Sequence, residues 1–303
     1  MNIGVVIVTY NRLMKLKKCL AAYEAQTLSP EYILIVDNCS ADGTGEYLDE
    51  WAKHTPLRNP TVIHCSHNSG GAGGFYLGLQ EGVKRSAEWI WVADDDAYPR
   101  PDCLEKIAAA YEALEGEEKE KREKRKEALC GKVVDNDGIS VSHRRCIKRF
   151  WGQIKEMPLL PEKYQNPLVD IDIFSFVGTV IRKAAIEKVG LPYREYFIFY
   201  DDTEYSLRIG NIGAIRCVSD AVILHDSLEN SIAKQSWKYY YLFRNRMYTY
   251  KLYFNWYQCL ADRLKIVYML VKYYPSKLSV VQFGHALRDV RHGKLGFVPK
   301  YQP

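Results

Sequence analysis

Three adjacent aspartates, Asp94, Asp95 and Asp96, are the residues of this sequence best suited to bind a metal ion. They directly follow an apolar segment, residues 89–93, that is typical of a buried strand. Carboxylates packed this closely repel one another and raise each other's pKa unless a cation neutralises them. Mg²⁺ and Mn²⁺ prefer oxygen ligands of this kind. An isolated acidic triplet is usually a solvated turn, but its position at a strand end favours metal binding here.

A glycine-rich segment, residues 68–75, precedes the triplet and reads NSGGAGGF. Glycines permit backbone conformations closed to other residues and allow a phosphate or sugar to approach the chain closely. We therefore expect Asn68, Gly71 and Gly74 to contact a ligand. The segment is neither a Walker loop nor a dinucleotide fingerprint, because it lacks Gly-Lys-Ser/Thr and does not follow the first strand. The alternative is a flexible turn before a helix that begins near residue 74.

Two other groups extend the candidate site. Asp201 and Asp202 stand at the start of a predicted helix, where carboxylates favour the helix dipole and cap its free amides. Because a separate metal site is predicted, we interpret one of them as a cap and the other as a general base. His225 follows a predicted strand and precedes Asp226. A histidine there is either structural or a metal ligand, and its position just after the last predicted strand, directly before Asp226, favours the ligand.

The first 100 residues alternate between strand and helix patterns. Strands are predicted at 3–8, 32–36, 61–65 and 89–93, and helices at 13–26, 43–54 and 74–86. This alternation predicts an α/β fold with a doubly wound, mostly parallel sheet. Ligands bind such sheets at the carboxyl ends of the strands, which is where Thr9, Asp37, Asn68 and Asp94 lie.

The pattern is weaker in the rest of the chain. We predict a helix at 101–129 with a highly charged second half, an irregular segment at 130–169, strands at 174–182, 214–218 and 222–224, helices at 183–189 and 200–209, and helical structure from 231 to about 273. The chain is therefore divided into a catalytic domain, residues 1–230, and a C-terminal helical region, residues 231–303.

Charge separates the same two parts. Residues 234–303 contain 13 Lys and Arg but two acidic residues, whereas the whole chain has a net charge of only +5. The tail is also rich in tyrosine and tryptophan, and a basic aromatic region favours an anionic surface or ligand. It could pack on the catalytic domain or on a second subunit, or lie on a membrane surface. Nucleic acid also binds such mixtures, but the catalytic residues argue against it.

The sequence has no predicted membrane-spanning helix, signal peptide or paired-cysteine motif, and this bears on where the protein is located. Its longest apolar run is far shorter than the roughly 20 residues of a membrane-spanning helix, and the N-terminus has no signal-peptide pattern. Eight cysteines are scattered without a CxxC pair, which favours free thiols over zinc binding or disulfides. We expect a cytoplasmic protein, peripheral on the inner face of the cytoplasmic membrane if the tail binds lipid.

Taken together, these motifs resemble the family 2 glycosyltransferases, which have the GT-A fold. Residues 6–12, VIVTYNR, are similar to the first strand and turn of the family, and residues 36–44, VDNCSADGT, to its second motif. The triplet resembles its DxD-type metal motif. The resemblance extends from residue 1 to about residue 226. The glycine-rich segment, the sequence DDTE at 201–204 and His225 look most like the branch that uses galactofuranose donors.

The resemblance implies a role for each candidate residue. The nucleotide sugar would be bound by Thr9, Tyr10, Asn11, Asp37, Asn68, Gly71, Gly74, Asp94 and Asp95, although Asp95 has no assigned contact. Asp96 and His225 would bind Mn²⁺ or Mg²⁺ on the diphosphate, and Asp202 would be the base. The implied reaction is a single displacement with inversion, from UDP-galactofuranose to a hydroxyl of a growing, lipid-linked cell-surface glycan. A rhamnosyltransferase that uses dTDP-rhamnose is the alternative.

Two other classes of protein explain the motifs less well. A nucleotidyltransferase also uses an α/β sheet and carboxylate-bound metal, but it needs a basic phosphate-binding loop after the first strand, where this chain has only Arg12. A non-catalytic glycan-binding module explains the aromatic residues. It does not explain the triplet together with Asp201 and Asp202. The sequence leaves open whether the protein forms a homo-oligomer.

Overall fold

The computed structural model describes residues 1–121, 125–150, 153–226, 237–273 and 277–302. Its central sheet contains β1 (Ile3–Thr9), β2 (Tyr32–Asp37), β3 (Pro60–His64), β4 (Trp89–Asp94), β5 (Ala97–Pro99), β6 (Lys126–Asp135), β7 (Gly138–Ile139), β10 (Leu168–Ile171), β12 (Thr179–Arg182) and β13 (Ala214–His225). A second, three-stranded sheet contains β8 (Arg144–Phe150), β9 (Gln153–Pro158) and β11 (Ile173–Phe174). The helices are α1 (Leu13–Glu24), α2 (Thr44–His54), α3 (Gly70–Gly82), α4 (Cys103–Lys121), α5 (Lys183–Val189), α6 (Asp201–Ile212), α7 (Lys238–Tyr253), α8 (Trp256–Tyr273) and α9 (Lys277–Arg291).

The N-terminal half of the central sheet is parallel, in the order β4-β1-β2-β3. Every residue of β1 is buried, because both faces of the strand are covered by helices. Val5 and Ile7 pack in the layer that contains α1 and α2, whereas Val6 and Val8 pack in the layer that contains α3. The predicted α/β class and doubly wound arrangement are confirmed.

The C-terminal half of the sheet is mixed. β12 runs antiparallel between β4 and β6, and β13 runs parallel to β6. β13 was predicted as two short strands but is a single strand with an irregularity between Val218 and Val222. Because it is long, β13 runs along β6 and also pairs with β5, which places His225 at the edge where β4 ends.

Two predictions for the middle of the chain are wrong. The helix predicted at 101–129 ends at Lys121, and β6 begins at Lys126 in a stretch whose charges resemble those of the helix before it. The segment 130–169, predicted to be irregular, forms β6 to β10. For β6 and β10 the physical cause is pairing with the distant strands β12 and β13, which outweighs local propensity. β8 and β9 instead pair with each other as a hairpin. Residues 122–124, part of the predicted charged helix, lie outside the described residues.

Three other boundaries differ from the predictions. The predicted strand at 174–182 is divided into β11 and β12 by a turn at 175–178, where Gly178 has a φ of +70°. α3 begins at Gly70 rather than near residue 74, so the glycine-rich segment is the first turn of a helix and not a loop. A further helix, α9, follows residue 273.

Helices α7 to α9 share a core of their own with Phe197. Buried Arg244 and Asn245 of α7 attach this core to the catalytic part, since both donate hydrogen bonds to the carbonyl of Tyr196. The predicted domain boundary at residue 230 lies outside the described residues. No helix in the described ranges is long and apolar enough to cross a membrane.

Candidate active site

The ends of neighbouring strands meet at one edge of the sheet. Thr9, the last residue of β1, is in register with Asp37 at the end of β2. Val8 is in register with Asp94 at the end of β4. Parallel strands therefore place Thr9, Asp37 and the beginning of the triplet side by side, as the sequence predicted.

β13 completes this edge from the other half of the sheet. His225 is in register with Ala97 of β5, directly after the triplet. The amide of Asp226 donates a hydrogen bond of 2.9 Å to the carbonyl of Asp96. Residues separated by about 130 positions in sequence thus become neighbours.

Asp95 points inward and ties the triplet to β1. Its carboxylate accepts a hydrogen bond of 2.7 Å from the Thr9 hydroxyl and one of 2.9 Å from Arg12 Nη1. Burial raises the pKa of Asp95 to about 6, although the charge of Arg12 opposes the shift. Because both carboxylate oxygens of Asp95 accept these hydrogen bonds, Asp95 and Thr9 stabilise the turn that follows β4.

Asp96 is the most heavily contacted carboxylate of the triplet. One oxygen, Oδ1, lies 3.2 Å from His225 Nε2, and the other, Oδ2, lies 2.9 Å from Arg12 Nη1. Lys15 Nζ lies 4.0 Å from Oδ2. Burial by itself would raise the pKa of Asp96, but the hydrogen bond with His225 and the charge of Arg12 outweigh it and lower the pKa.

Asp94 has no comparable compensation. Burial, followed by the charges of Asp96 and Asp95, raises its pKa well above the usual range. Asp201 at the start of α6 contributes to the same shift. Asp94 and Asp201 are therefore close enough to repel each other. The start of α6 thus lies near the edge of the sheet that holds the triplet.

The donor set fits a divalent cation that the substrate helps to bind. Asp96 Oδ1 and His225 Nε2 are 3.2 Å apart, about the separation of adjacent ligands on one small cation with bonds near 2.1 Å. His225 Nδ1 is buried without a hydrogen-bond partner among the described residues. No group of three or more His, Cys, Asp and Glu side chains in the described ranges forms a complete metal cage. Mg²⁺ commonly takes one or two protein ligands together with substrate phosphates.

Arg12 and Lys15 were missed as site residues by sequence reasoning. Both lie at the beginning of α1, next to the end of β1, and their spacing of three places them on one side of the helix. Lys15 also lies 3.6 Å from Asp226 Oδ1. Their position directly after a strand end was the available signal. They supply positive charge to an otherwise repulsive cluster of carboxylates.

The first turn of α3 is fixed by Asn38, a third residue that was not predicted from the sequence. Its side-chain amide donates to Asn68 Oδ1 at 3.0 Å and to the Gly70 carbonyl at 2.9 Å, and its Oδ1 accepts from the Ser69 amide at 3.0 Å. Asn68 Oδ1 also accepts from the Gly70 amide. Asn68 therefore orients the helix start through its oxygen.

Glycine is required in this turn for close packing. A Cβ on Gly70 would lie 2.0 Å from the carbonyl oxygen of Phe197, and a Cβ on Gly74 would lie 2.4 Å from a methyl of Val8. A Cβ on Gly71, in contrast, would meet nothing within 4 Å. The helix start therefore has open space at Gly71. The amides of Ser69, Gly70 and Ala72 donate to Asn38, Asn68 and Phe197, so the Gly71 amide is the one placed to meet an anion at this helix N-terminus.

The ends of β1 and β2 carry the residues assigned to the nucleotide. Asn11 Oδ1 accepts a hydrogen bond of 2.7 Å from the Ala41 amide, so that Asn11 connects the two loops. Asp37 is buried and accepts from the Ser40 amide, and its Oδ2 lies 3.2 Å from His64 Nδ1. Tyr10 is half-buried beside them.

Asp202 stands at the end of a chain of side-chain hydrogen bonds. Its Oδ1 accepts from the Thr203 hydroxyl at 3.0 Å, and this hydroxyl accepts from Arg145 Nη2 at 2.7 Å. Arg145 in turn forms an ion pair with Glu156. β8 and β9 therefore position the first turn of α6 through Arg145, a residue that sequence reasoning placed in an irregular segment.

The open position at Gly71 allows its role to be tested. We expect Gly71→Ala to fold normally, with stability unchanged or up to about 1 kcal/mol higher, because alanine favours helix. A methyl group in the space for the ligand should weaken UDP binding by about tenfold or more. Thermal unfolding and titration calorimetry measure the two effects. Gly284→Ala, in open space on α9, is the matched control, and unchanged UDP affinity in Gly71→Ala would contradict the assignment.

Comparison with known proteins agrees with this geometry. Residues 4–117 match the model of glycosyl transferase family 2. Galactofuranosyltransferase GlfT1 of Mycobacterium tuberculosis strain H37Rv is 29% identical over 234 residues, which cover 74% of this chain and 70% of the relative. The dTDP-rhamnosyl transferase RfbF of Shigella flexneri is 26% identical over 233 residues, 76% of this chain and 71% of the relative.

A solved structure has the same architecture. The crystal structure of GalNAc-T7 with UDP, GalNAc and Mn²⁺ superposes with a TM-score of 0.63 at 15% identity, and the match covers 96% of this chain and 54% of that one. The predicted family resemblance and GT-A fold are confirmed. Residues 4–117 of the chain form a glycosyl transferase family 2 domain, and the chain has a GT-A fold.

Proposed function

We propose that the protein is a metal-dependent, inverting galactofuranosyltransferase. It transfers galactofuranose from UDP-galactofuranose to a hydroxyl of a growing, lipid-linked cell-surface glycan at the inner face of the cytoplasmic membrane. The observation that carries the proposal is the meeting of Asp96 and His225 at 3.2 Å, beside the open N-terminus of α3. The similarity to a galactofuranosyltransferase over most of both chains supports the choice of donor.

On the donor side, residues at the strand ends orient the nucleotide. Tyr10 and Asp37 line the nucleoside pocket, and Asp94 lies near the ribose. Thr9, Asn11 and Asn68 act mainly by holding their loops in place through the hydrogen bonds described above. At the start of α3 the Gly71 amide faces the diphosphate, whereas the Gly70 and Ala72 amides donate within the protein.

Asp96 and His225 would hold Mn²⁺ or Mg²⁺ on the diphosphate. When bound, the cation offsets the negative charge that develops on the leaving diphosphate. Arg12 and Lys15 add fixed positive charge at the same edge, because both contact Asp96.

Asp202 is better suited than Asp201 to accept the proton of the attacking hydroxyl. Burial, followed by the charge of Asp202, raises the pKa of Asp201 to about 8, so that Asp201 carries a proton at neutral pH. Burial raises the pKa of Asp202 as well, but the charge of Arg145 and hydrogen bonds from Thr203 oppose the shift. Asp202 therefore remains available as a base, and inversion requires no protein nucleophile.

A rhamnosyltransferase is the second candidate. The similarity to a dTDP-rhamnosyl transferase covers as much of both chains as the similarity to GlfT1. The two candidates share the site and the chemistry and differ in the nucleotide and sugar.

A donor panel distinguishes the candidates. We expect UDP-galactofuranose to raise the unfolding temperature more than UDP-galactopyranose, UDP-glucose or dTDP-rhamnose, since only a bound ligand stabilises the fold. Mn²⁺ should increase this rise in unfolding temperature further, and EDTA should remove the additional increase. In His225→Ala, Mn²⁺ should produce no additional increase. Protection by dTDP-rhamnose alone would contradict the donor, and protection by none of the four would contradict the proposed function.

Replacement of the base separates binding from catalysis. We expect Asp202→Asn to bind UDP like the wild type, because asparagine keeps the size of the side chain and an acceptor for Thr203. UDP release from the donor, with water as acceptor, should fall by about 10²- to 10⁴-fold. Asp220→Asn, at an exposed position of β13, is the control. An Asp202→Asn enzyme with the wild-type rate of UDP release would overturn the assignment.

Arg145 should affect the pH dependence of the reaction. Asp202 works as a carboxylate, and Arg145 lowers its pKa, so its removal raises the pKa and moves the acid limb of the rate profile to higher pH. Arg145→Ala should therefore lose more activity at about pH 6 than at about pH 8, and Arg145→Lys should restore part of it. Arg149→Ala, exposed on the same strand, should behave like the wild type. An equal loss at every pH would reduce Arg145 to a structural role.

A further inference from the structure

The structure separates two helices that the sequence treated as one basic, aromatic region. The aromatic side chains of α7 are largely buried, including Tyr239, Tyr240, Tyr241 and Tyr250, and they form the core between the C-terminal helices. The aromatic composition of α7 is therefore explained by packing. α8 is different, because it has a large apolar surface without a described neighbour.

Two stripes of side chains run along α8. One stripe faces the protein and is buried, with Cys259, Asp262, Ile266 and Leu270. The other is exposed and apolar, and its members are Trp256, Tyr257, Leu260, Leu264, Val267, Tyr268 and Val271. Leu264 is 62% exposed and Val271 is 73% exposed. Apolar surface of this extent on one helix face marks a site of interaction.

The charges of α8 are positive. Arg263, Lys265 and Lys272 lie within the helix, whose acidic residue Asp262 is buried and paired with Arg246 at 2.6 Å. A second copy of this chain would bring the same cations face to face, which disfavours self-association. Anionic lipid headgroups complement them, and tryptophan and tyrosine favour the same interfacial region.

We propose that the exposed apolar stripe of α8, from Trp256 to Val271, docks on the surface of a bilayer that contains anionic lipid. The helix lies in the plane of the interface, with its leucine and valine side chains among the acyl chains and its lysines at the headgroups. Exposed Val280 and Val281 at the beginning of α9 extend the apolar surface.

The role of this docking surface in catalysis rests on the proposed function, because it would place the enzyme on the bilayer that holds a lipid-linked acceptor. Asp262 of α8 binds Arg246 of α7, and Arg246 Nη1 donates a hydrogen bond of 2.6 Å to the hydroxyl of Tyr200. Tyr200 directly precedes Asp201 and Asp202. The docked helix is therefore linked by two contacts to the catalytic turn of α6, and a lipid-linked acceptor in the same bilayer lies on the side of the base.

Vesicle flotation of the full chain tests this proposal without donor or acceptor. The wild type should float with vesicles of phosphatidylcholine and phosphatidylglycerol, but much less with phosphatidylcholine alone, and added salt should weaken binding. Leu264→Glu and Val271→Glu should each weaken binding by about tenfold or more, because each replaces buried apolar area with a charge. Leu160→Glu is the matched control, since Leu160 is 53% exposed in the catalytic domain.

The outcomes separate this surface from the catalytic proposal. Leu264→Glu should release UDP from the donor in solution at the wild-type rate, so that loss of flotation with retained turnover supports the docking surface. Equal flotation of Leu264→Glu and the wild type would overturn it. The proposal would also be overturned if the wild type did not bind vesicles and sedimented as a dimer, and Leu264→Glu sedimented as a monomer. The stripe would then join two copies of the chain.

Discussion

Three carboxylates at the end of β4 are the constraint on which the site depends. Side by side and largely buried, they repel one another, and each requires its own compensation. Asp95 receives it from Thr9 and Arg12, and Asp96 from Arg12 and His225. The helix after β1 and the last strand of the sheet must therefore converge on one edge. At Asp94 the charge of Arg12 offsets burial and the neighbouring carboxylates only in part, so its pKa stays raised.

Two adjacent arginines of β8 divide structural and catalytic support. Arg144 is fully buried and donates hydrogen bonds to the carbonyls of Gly131, Val177 and Gly178. It thereby fixes the turn that separates β11 from β12. Because successive side chains of a strand point to opposite faces, Arg145 projects to the other side. There it reaches Thr203 and Glu156, so that one short strand supports both the sheet and the first turn of α6.

The C-terminal helices form part of the site's framework. Phe197, Phe199 and Tyr200 all have φ near +66°, a conformation that is strained for bulky residues. Asn245 of α7 lies within hydrogen-bond distance of the carbonyls of Ile198 and Phe199 as well as that of Tyr196. The carbonyl of Phe197 accepts from the Ala72 amide at the start of α3. The strained segment therefore connects the glycine turn to the first turn of α6, and α7 keeps it in place.

The sequence by itself determined the parallel α/β half, the strand ends that carry Thr9, Asp37 and Asp94, and the apolar stripe at 260, 264, 267 and 271. These features depend on local periodicity and on short motifs, which a single sequence reveals directly. Tertiary structure decided the pairing of β6 and β10 with β12 and β13, the compensation of the triplet by Arg12 and Lys15, and the chain from Glu156 through Arg145 to Thr203. Each of these depends on pairing between residues distant in sequence, and local patterns do not record such pairing. For the same reason, only the folded chain distinguished α7, whose aromatic residues are buried, from α8, whose apolar residues are exposed.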